Sequence, residues 1–501
     1  MYKSVSIKIC IDKICIDKIC KIESYKNIIL IYIIIMSDSL NIESESESVS
    51  EVASVSESDI TPFCNHLEQE ELDDLTSNIH ELMEEYYNSE ILKMSKSDFH
   101  KEMVDDITHI VFQNLLDADI CNDNDYVSIF EIVKHYCHTK YNPNFPLRSM
   151  EHCNYNYICE EYSLDEEVFS SQLQSKIDHL RVLNESAPKQ RTPEWYQRRY
   201  NMMTASNLWQ ALNTEAQRNR LIYEKCKPLD FGYTENKWVN TDNSLHWGVK
   251  YEPLTALVYE KMTGAKIEEF GCIQHEKYPF LGASPDGIVT NRDSPLFGRM
   301  LEIKNIYNRD MNGIPSEAYW IQIQMQLECC NLDLCDFVET RFKEYGSEPE
   351  FFEEHDDDML RGLILHFIPK DGKSNVPLYK YMPLDISLNE NAMDEWITTC
   401  KNELPEFAVY SKIYWYLDDI QMSTIERHSM WFEAVFPILK KTWDTIEQER
   451  VSGYEHRAAK KRIINDVIVV NSVDGSESHI IKNMPSTNGG ICLIKIDSNE
   501  T

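Results

Sequence analysis

Two carboxylates and an amine occur in a compact pattern near residue 300. The stretch Phe280-Leu-Gly-Ala-Ser-Pro-Asp-Gly-Ile-Val-Thr290 reads as an apolar strand broken at Pro285–Gly287 and then resumed. A loop rich in Asn, Asp, Ser and Pro follows, and then Met300-Leu-Glu-Ile-Lys-Asn305. Alternation sends Leu301 and Ile303 to one face and Glu302 and Lys304 to the other. A charged pair on a short aliphatic strand suits metal-assisted phosphodiester hydrolysis. Mg²⁺ is usually held by one or two carboxylates with water and substrate phosphate, and Asp286 and Glu302 supply such a pair. The ion would lower the pKa of a bound water, and Lys304 would orient or help deprotonate that water and stabilise the transition state.

Three further segments have to position these groups. Leu245–Gly264 reads as a helix with Leu245, Val249, Leu257, Val258 and Met262 broadly on one face and Gly264 as its stop; Glu252 rides on it, with small Ala256 one turn later. Tyr319-Trp-Ile-Gln-Ile-Gln-Met-Gln-Leu-Glu328 reads as an apolar helix with three glutamines, costly to bury without partners. Gln322 and Gln326 share a face and Gln324 lies about 200° away, so the three cannot serve one site. Arg198 and Arg199 precede Thr204-Ala-Ser206 at a helix start, an arrangement of guanidinium, hydroxyls and backbone N–H groups that suits an anion.

The chain of 501 residues is 42% apolar and carries 84 acidic against 49 basic side chains, net −35. That balance argues against non-specific coating of nucleic acid. Counted by segment, residues 37–190 carry −24 and residues 191–340 only −4, so a polyanion is best handled in the latter. The 15 cysteines show no regular C-x-x-C pairs and read as reduced thiols; Cys329, Cys330 and Cys335 lack a convincing fourth thiolate for an iron–sulfur cluster and read as small buried hydrophobes.

Residues 1–60 read as a leader, acidic and serine-rich after Met36. Its first 35 residues contain a five-residue repeat, Lys8-Ile-Cys-Ile-Asp12, and an apolar run at 28–35 too short to span a membrane, so translation is expected to start at Met36. Residues 61–186 read as an acidic helical accessory region, with Leu67, Leu72, Leu75, Ile79 and Leu82 on one face. A boundary near Ala187-Pro188 opens a main domain over 187–450, its motifs concentrated in 191–345. Within it, 337–342, 362–368 and 378–382 read as strands, and 391–405 and 423–450 as helices. Residues 451–501 read as a basic segment, Glu455–Arg462, followed by a weakly patterned tail.

Asp, then Glu-x-Lys, is the signature of the PD-(D/E)xK nucleases. The full order of motifs resembles more narrowly the lambda-type exonucleases, the YqaJ-like viral recombinase family. The resemblance runs through Trp195, Arg199, Thr204-Ala-Ser206, Trp247-Gly-x-x-Tyr-Glu252, Ala283-Ser-Pro-Asp-Gly287, Leu301-Glu-Ile-Lys304 and Tyr319-x-x-Gln322-x-Gln324. It implies an α/β fold, a central mixed sheet flanked by helices, with the helical N-terminal region as an addition. It implies an exonuclease digesting one strand of duplex DNA from a 5′ end with Mg²⁺, for which Mn²⁺ can substitute. Asp286 and Glu302 would ligate the metal with Glu252 assisting, Lys304 and Gln324 would orient or activate water, and Arg199, Ser206 and Ser284 would cradle the 5′ phosphate. It further implies double-stranded DNA ends as partner, a ring-shaped homo-oligomer such as a trimer, a single-strand annealing protein, no membrane, and an intracellular setting, the host cytoplasm for a virus. Asn305-Ile306 stands where the family commonly places Cys-Pro, which leaves the strand's exit open. Two other readings remain: a structure-specific endonuclease of the same superfamily, and an inactive DNA-binding or assembly module.

Overall fold

A computed structural model describes residues 67, 69–141, 166–190, 192–229, 239–241, 243–354, 359–372 and 374–459. The leader with its repeat and Met36, Arg191, and the chain beyond Ala459 lie outside these residues.

The architecture is mixed α/β. The helices are α1 (Gln69–Glu90), α2 (Phe99–Asp117), α3 (Tyr126–Tyr136), α4 (Glu166–Glu185), α5 (Pro193–Tyr200), α6 (Ala205–Leu212), α7 (Glu215–Cys226), α8 (Ser244–Thr263), α9 (Glu317–Cys330), α10 (Glu348–Glu353), α11 (Glu390–Glu403) and α12 (Ser429–Ser452). The strands are β1 (Met203–Thr204), β2 (Ile267–Glu268), β3 (Ile273–Gln274), β4 (Leu281–Ala283), β5 (Gly287–Val289), β6 (Met300–Asn305), β7 (Leu334–Glu344), β8 (Arg361–Pro369), β9 (Leu378–Tyr381) and β10 (Phe407–Glu426). Seven form a sheet in the order β2-β5-β6-β7-β10-β8-β9, and three form a smaller one, β1-β4-β3.

β6 and β7 run parallel, in register from Met300↔Cys335 to Asn305↔Thr340. A parallel pair needs a crossover long enough to return the chain, and α9 is that crossover. Its position over the sheet follows from where β6 ends and β7 begins, so the chain carrying Glu302 and Lys304 is bound to fold the glutamine helix back over them. At the other edge of β6, Gly287 pairs with Leu301, which sets Asp286 beside the middle of the strand. A Cβ on Gly287 would stand 2.2 Å from Ile267 Cγ2, so β2 and β5 approach this closely only with glycine at that position.

One apolar cluster runs from Leu67, Leu72 and Ile79 of the helical region through Leu208, Trp320 and Phe337 to Trp431 and Ile446. The helices before residue 190 are therefore packed into the body that carries the strands. Cys329, Cys330 and Cys335 lie buried in this cluster as small hydrophobes. Among the described residues no helix is long and apolar enough to cross a membrane.

Two expectations about elements need correction. Residues 423–426 belong to a strand, not to the start of the long helix: β10 extends to Glu426, and His428 then caps α12 by accepting the Trp431 N–H. The face assigned to the helix at 245–264 holds at Val258 and, partly buried, at Leu257, but not at its other three positions. Leu245 is 84% exposed, Val249 and Met262 are largely exposed, and the buried face is Tyr251, Leu254, Thr255, Val258 and Tyr259. The aromatic residues and Thr255 determine the face, because α8 packs across β6 and into the Phe342–Trp415 cluster.

Candidate active site

Asp286 and Glu302 are brought together by adjoining strands. The Asp286 N–H donates to Leu301 O at 3.2 Å, and its Oδ2 accepts the Ile303 N–H at 2.7 Å, so this carboxylate caps the edge of β6 where β5 has already ended. Glu302 is fully buried. The Lys304 ammonium and the Gln322 amide (2.7 Å) both donate to its Oε1, and the Gln326 amide donates to its Oε2 at 2.7 Å. Lys304 also stacks its ammonium over the Tyr319 ring, 4.8 Å from the centroid.

The electrostatics are those of a site with excess negative charge. Burial, then the charges of Glu302 and Glu252, push the Asp286 carboxyl well above the usual carboxylate range. Burial alone would lower the Lys304 pKa, but the carboxylates of Glu302 and Asp286 outweigh it and raise it above the ordinary lysine value. The neighbouring carboxylates thus favour the ammonium form of Lys304. Glu252 lies exposed on α8, at the rim. It does not complete a three-carboxylate cage: among the described residues no group of three or more His, Cys, Asp or Glu is arranged to hold a metal. Asp286 and Glu302 nonetheless fit a hard divalent cation. They offer oxygen donors in the number Mg²⁺ usually takes from protein. Their mutual repulsion is what a cation would relieve, and the buried Ser284 Oγ and Gln326 Oε1 beside them have no hydrogen-bond partner among the described residues.

The glutamine assignment is corrected. Gln324 faces away from the carboxylates, donating to Glu426 O at 2.7 Å and accepting the His428 N–H at 2.7 Å. Gln322 and Gln326, four residues apart and on one helix face, hold Glu302 instead. The sequence contained this signal in the i, i+4 spacing of two glutamines opposite a Glu-x-Lys strand.

The candidate phosphate pocket forms where β1 pairs with β4. Thr204 lies in register with Gly282, and Ser206 and Ser284 follow two residues beyond each. Arg199 donates to Thr204 Oγ1 at 3.3 Å, the Thr204 and Ser206 hydroxyls are 3.4 Å apart, and the guanidinium stacks 4.6 Å over Trp195. Lys225 donates to Arg199 O at 2.7 Å; burial and then the charges of Arg199 and Arg450 lower its pKa to about 7. The Gln326 amide reaches both Glu302 Oε2 and Ser284 O (3.2 Å).

Two features escaped the sequence. Glu339 pairs in register with Lys304, on the same sheet face, and is fully buried against the Arg309 guanidinium. The strand's exit at Asn305-Ile306 stays ordered without proline: Ile306 N–H donates to Thr340 O at 2.7 Å, and Asn305 Oδ1 accepts from Thr255 and Thr340.

Residues 194–333 match the family model for the YqaJ-like viral recombinase domain. An uncharacterized protein of Acanthamoeba polyphaga mimivirus is 27% identical over 296 residues, covering 52% of each chain. The present chain thus spans about half the length of that curated relative. Among solved structures, an exonuclease called LHK-Exo in complex with dAMP is 18% identical, with 53% of this chain and 97% of that one covered and a TM-score of 0.30. A phage-related exonuclease from Haemophilus somnus is 12% identical, with 49% and 94% covered and a TM-score of 0.28.

Proposed function

We propose, proceeding from the YqaJ-like viral recombinase domain that this chain carries over residues 194–333, that the protein is a divalent-metal-dependent deoxyribonuclease. It digests one strand of linear duplex from a 5′ end and serves viral recombination, repair or genome processing inside the host cell. The observation that carries this reading is the buried Glu302 carboxylate beside Asp286, held by the Lys304 ammonium and by the amides of Gln322 and Gln326.

Asp286 and Glu302 would hold Mg²⁺, or Mn²⁺ in its place, with Glu252 at the rim. The ion would supply Lewis-acid charge and an acidified water. Gln322 and Gln326 fix the orientation of the Glu302 carboxylate. Lys304 offsets charge developing on the phosphate and orients or helps deprotonate the nucleophile. Arg199, Ser206 and Ser284 would grip a terminal 5′ phosphate, with Trp195 behind the guanidinium restricting its swing. A ring of copies of the chain and a single-strand annealing protein complete the proposed assembly.

The test compares linear duplex with covalently closed circles, and 5′-phosphate ends with 5′-hydroxyl ends, with Mg²⁺ and with EDTA. Linear 5′-phosphorylated duplex should be degraded from the 5′ end only with the metal, and circles left intact. Arg199→Ala should lower the rate on 5′-phosphorylated ends by about tenfold to a hundredfold, the loss of one charge-assisted contact, and leave 5′-hydroxyl ends nearly unaffected. Nicked circles would favour an endonuclease, and an inert wild-type protein would leave a DNA-binding or assembly module.

A further inference from the structure

Gln324, turned away from the carboxylates, takes part in a second arrangement that reaches into the helical region. The His428 backbone N–H donates to Gln324 Oε1 and Glu426 O accepts from Gln324 Nε2, so α9 is pinned to the turn between β10 and α12. The His428 ring is buried. Its Nδ1 accepts the Trp431 N–H at 3.1 Å, and its Nε2 lies 2.6 Å from the Tyr87 hydroxyl. Burial lowers the His428 pKa to about 4, so the ring is neutral. With Nδ1 accepting, the ring proton sits on Nε2 and is donated to Tyr87 Oη. Tyr87 is buried too, and its ring stacks on the imidazole at 5.6 Å between centroids. A second tie joins the same bodies: Ser95 Oγ, just past α1, donates to Glu317 Oε1 at 3.0 Å, in the first turn of α9.

We propose that the helical region is a working part of the active site, with Tyr87 a positioning residue that acts through His428 and Gln324 to set the rotation of α9. This rests on the nuclease reading above. Gln324 lies two residues from both Gln322 and Gln326, the residues whose amides orient Glu302. A helix turns 100° per residue, so a small rotation at Gln324 swings both amides away from the carboxylate. Ser95 holds the helix start and His428 its middle, and two ties on one helix fix rotation where one would leave it free. The accessory helices therefore constrain the geometry that the Glu-x-Lys strand needs, and His428 serves as both cap of α12 and link to α1.

The experiment uses the full chain with Tyr87→Phe, which removes only the oxygen that receives the Nε2–H, and His428→Asn, which keeps a good cap for α12 but drops the contact to Tyr87. Leu75→Ala is the control, on the same buried face of α1 but 12 residues or about 18 Å away along it. Loss of outer support to a ligand typically costs tenfold to a hundredfold. Tyr87→Phe and His428→Asn should therefore lower kcat about tenfold at saturating Mg²⁺ with little change in KM for duplex, and should speed hydrogen–deuterium exchange across residues 317–330. Leu75→Ala should lower the melting temperature at least as much while sparing kcat and that exchange. Unchanged exchange and kcat in Tyr87→Phe, or an equal kcat loss in Leu75→Ala, overturns the proposal. A wild-type protein inert with Mg²⁺ overturns the nuclease reading instead, and exchange in 317–330 still reports whether Tyr87 sets α9.

Discussion

Lys304→Ala is expected to reduce Mg²⁺-dependent strand degradation by about 10³-fold, the scale on which a preorganised charge in a water-poor site acts. The ammonium has no substitute: among the described residues it is the cation bonded to Glu302, and the other donors on that carboxylate are neutral amides. The fold should survive, because Gln322 and Gln326 still satisfy Glu302. Lys304→Arg separates two roles. It keeps the charge but replaces a compact ammonium with a planar fork, so it should recover only part of the rate. End-labelled linear duplex, assayed beside circular dichroism and a melting curve, reads both quantities. A folded Lys304→Ala protein that retains a tenth or more of wild-type activity would refute the role given to Lys304.

The candidate centre was legible in the sequence where local spacing determines geometry. Asp286, Glu302 and Lys304 follow from one bent strand and one alternating strand, and the parallel register of β6 with β7 adds only that α9 must cover them. The three glutamines show the limit. Periodicity placed Gln322 and Gln326 together and Gln324 opposite, but it could not say which face meets the sheet; the resemblance pointed to Gln324, and the crossover geometry selects the other two. The same limit applies to α8. Its exposed aliphatic residues, Leu245 and Val249, were read as core, whereas Tyr251 and Thr255 turn inward because the sheet beneath offers Phe342 and the Asn305–Thr340 hydroxyl–amide group. β10 was missed for another reason. Its 20 residues bend at two register shifts, which disrupts the simple alternation that marks shorter strands. Nothing in residues 67–141 read alone points to a catalytic centre, since Tyr87 finds His428 at a separation of 341 residues.

Asp286→Asn should make the protein more stable and close to inactive. The Asp286 carboxyl is raised by burial and by the neighbouring charges of Glu302 and Glu252, so the folded state binds its proton more tightly than the unfolded chain does. For such a group the stabilisation is fully present below the ordinary carboxylate pKa of about 4. It is lost as pH rises through the higher value of the folded state. In metal-free buffer the wild-type melting temperature should accordingly fall on going from acid to neutral and alkaline pH, and added Mg²⁺ should restore it, since the cation replaces the proton between the two carboxylates. Asparagine at 286 can still accept the Ile303 N–H through its oxygen, but carries no charge to repel Glu302. The variant should therefore lack this pH slope, melt higher than wild type at pH 8 without metal, gain little from Mg²⁺, and lose about 10³-fold in rate with the carboxylate that positions the ion. Opposite movements of stability and activity distinguish a carboxylate kept for chemistry from one kept for folding. If Asp286→Asn melts lower than wild type at alkaline pH, or still gains from Mg²⁺ as wild type does, Asp286 is a structural cap on β6 and the cation site lies elsewhere.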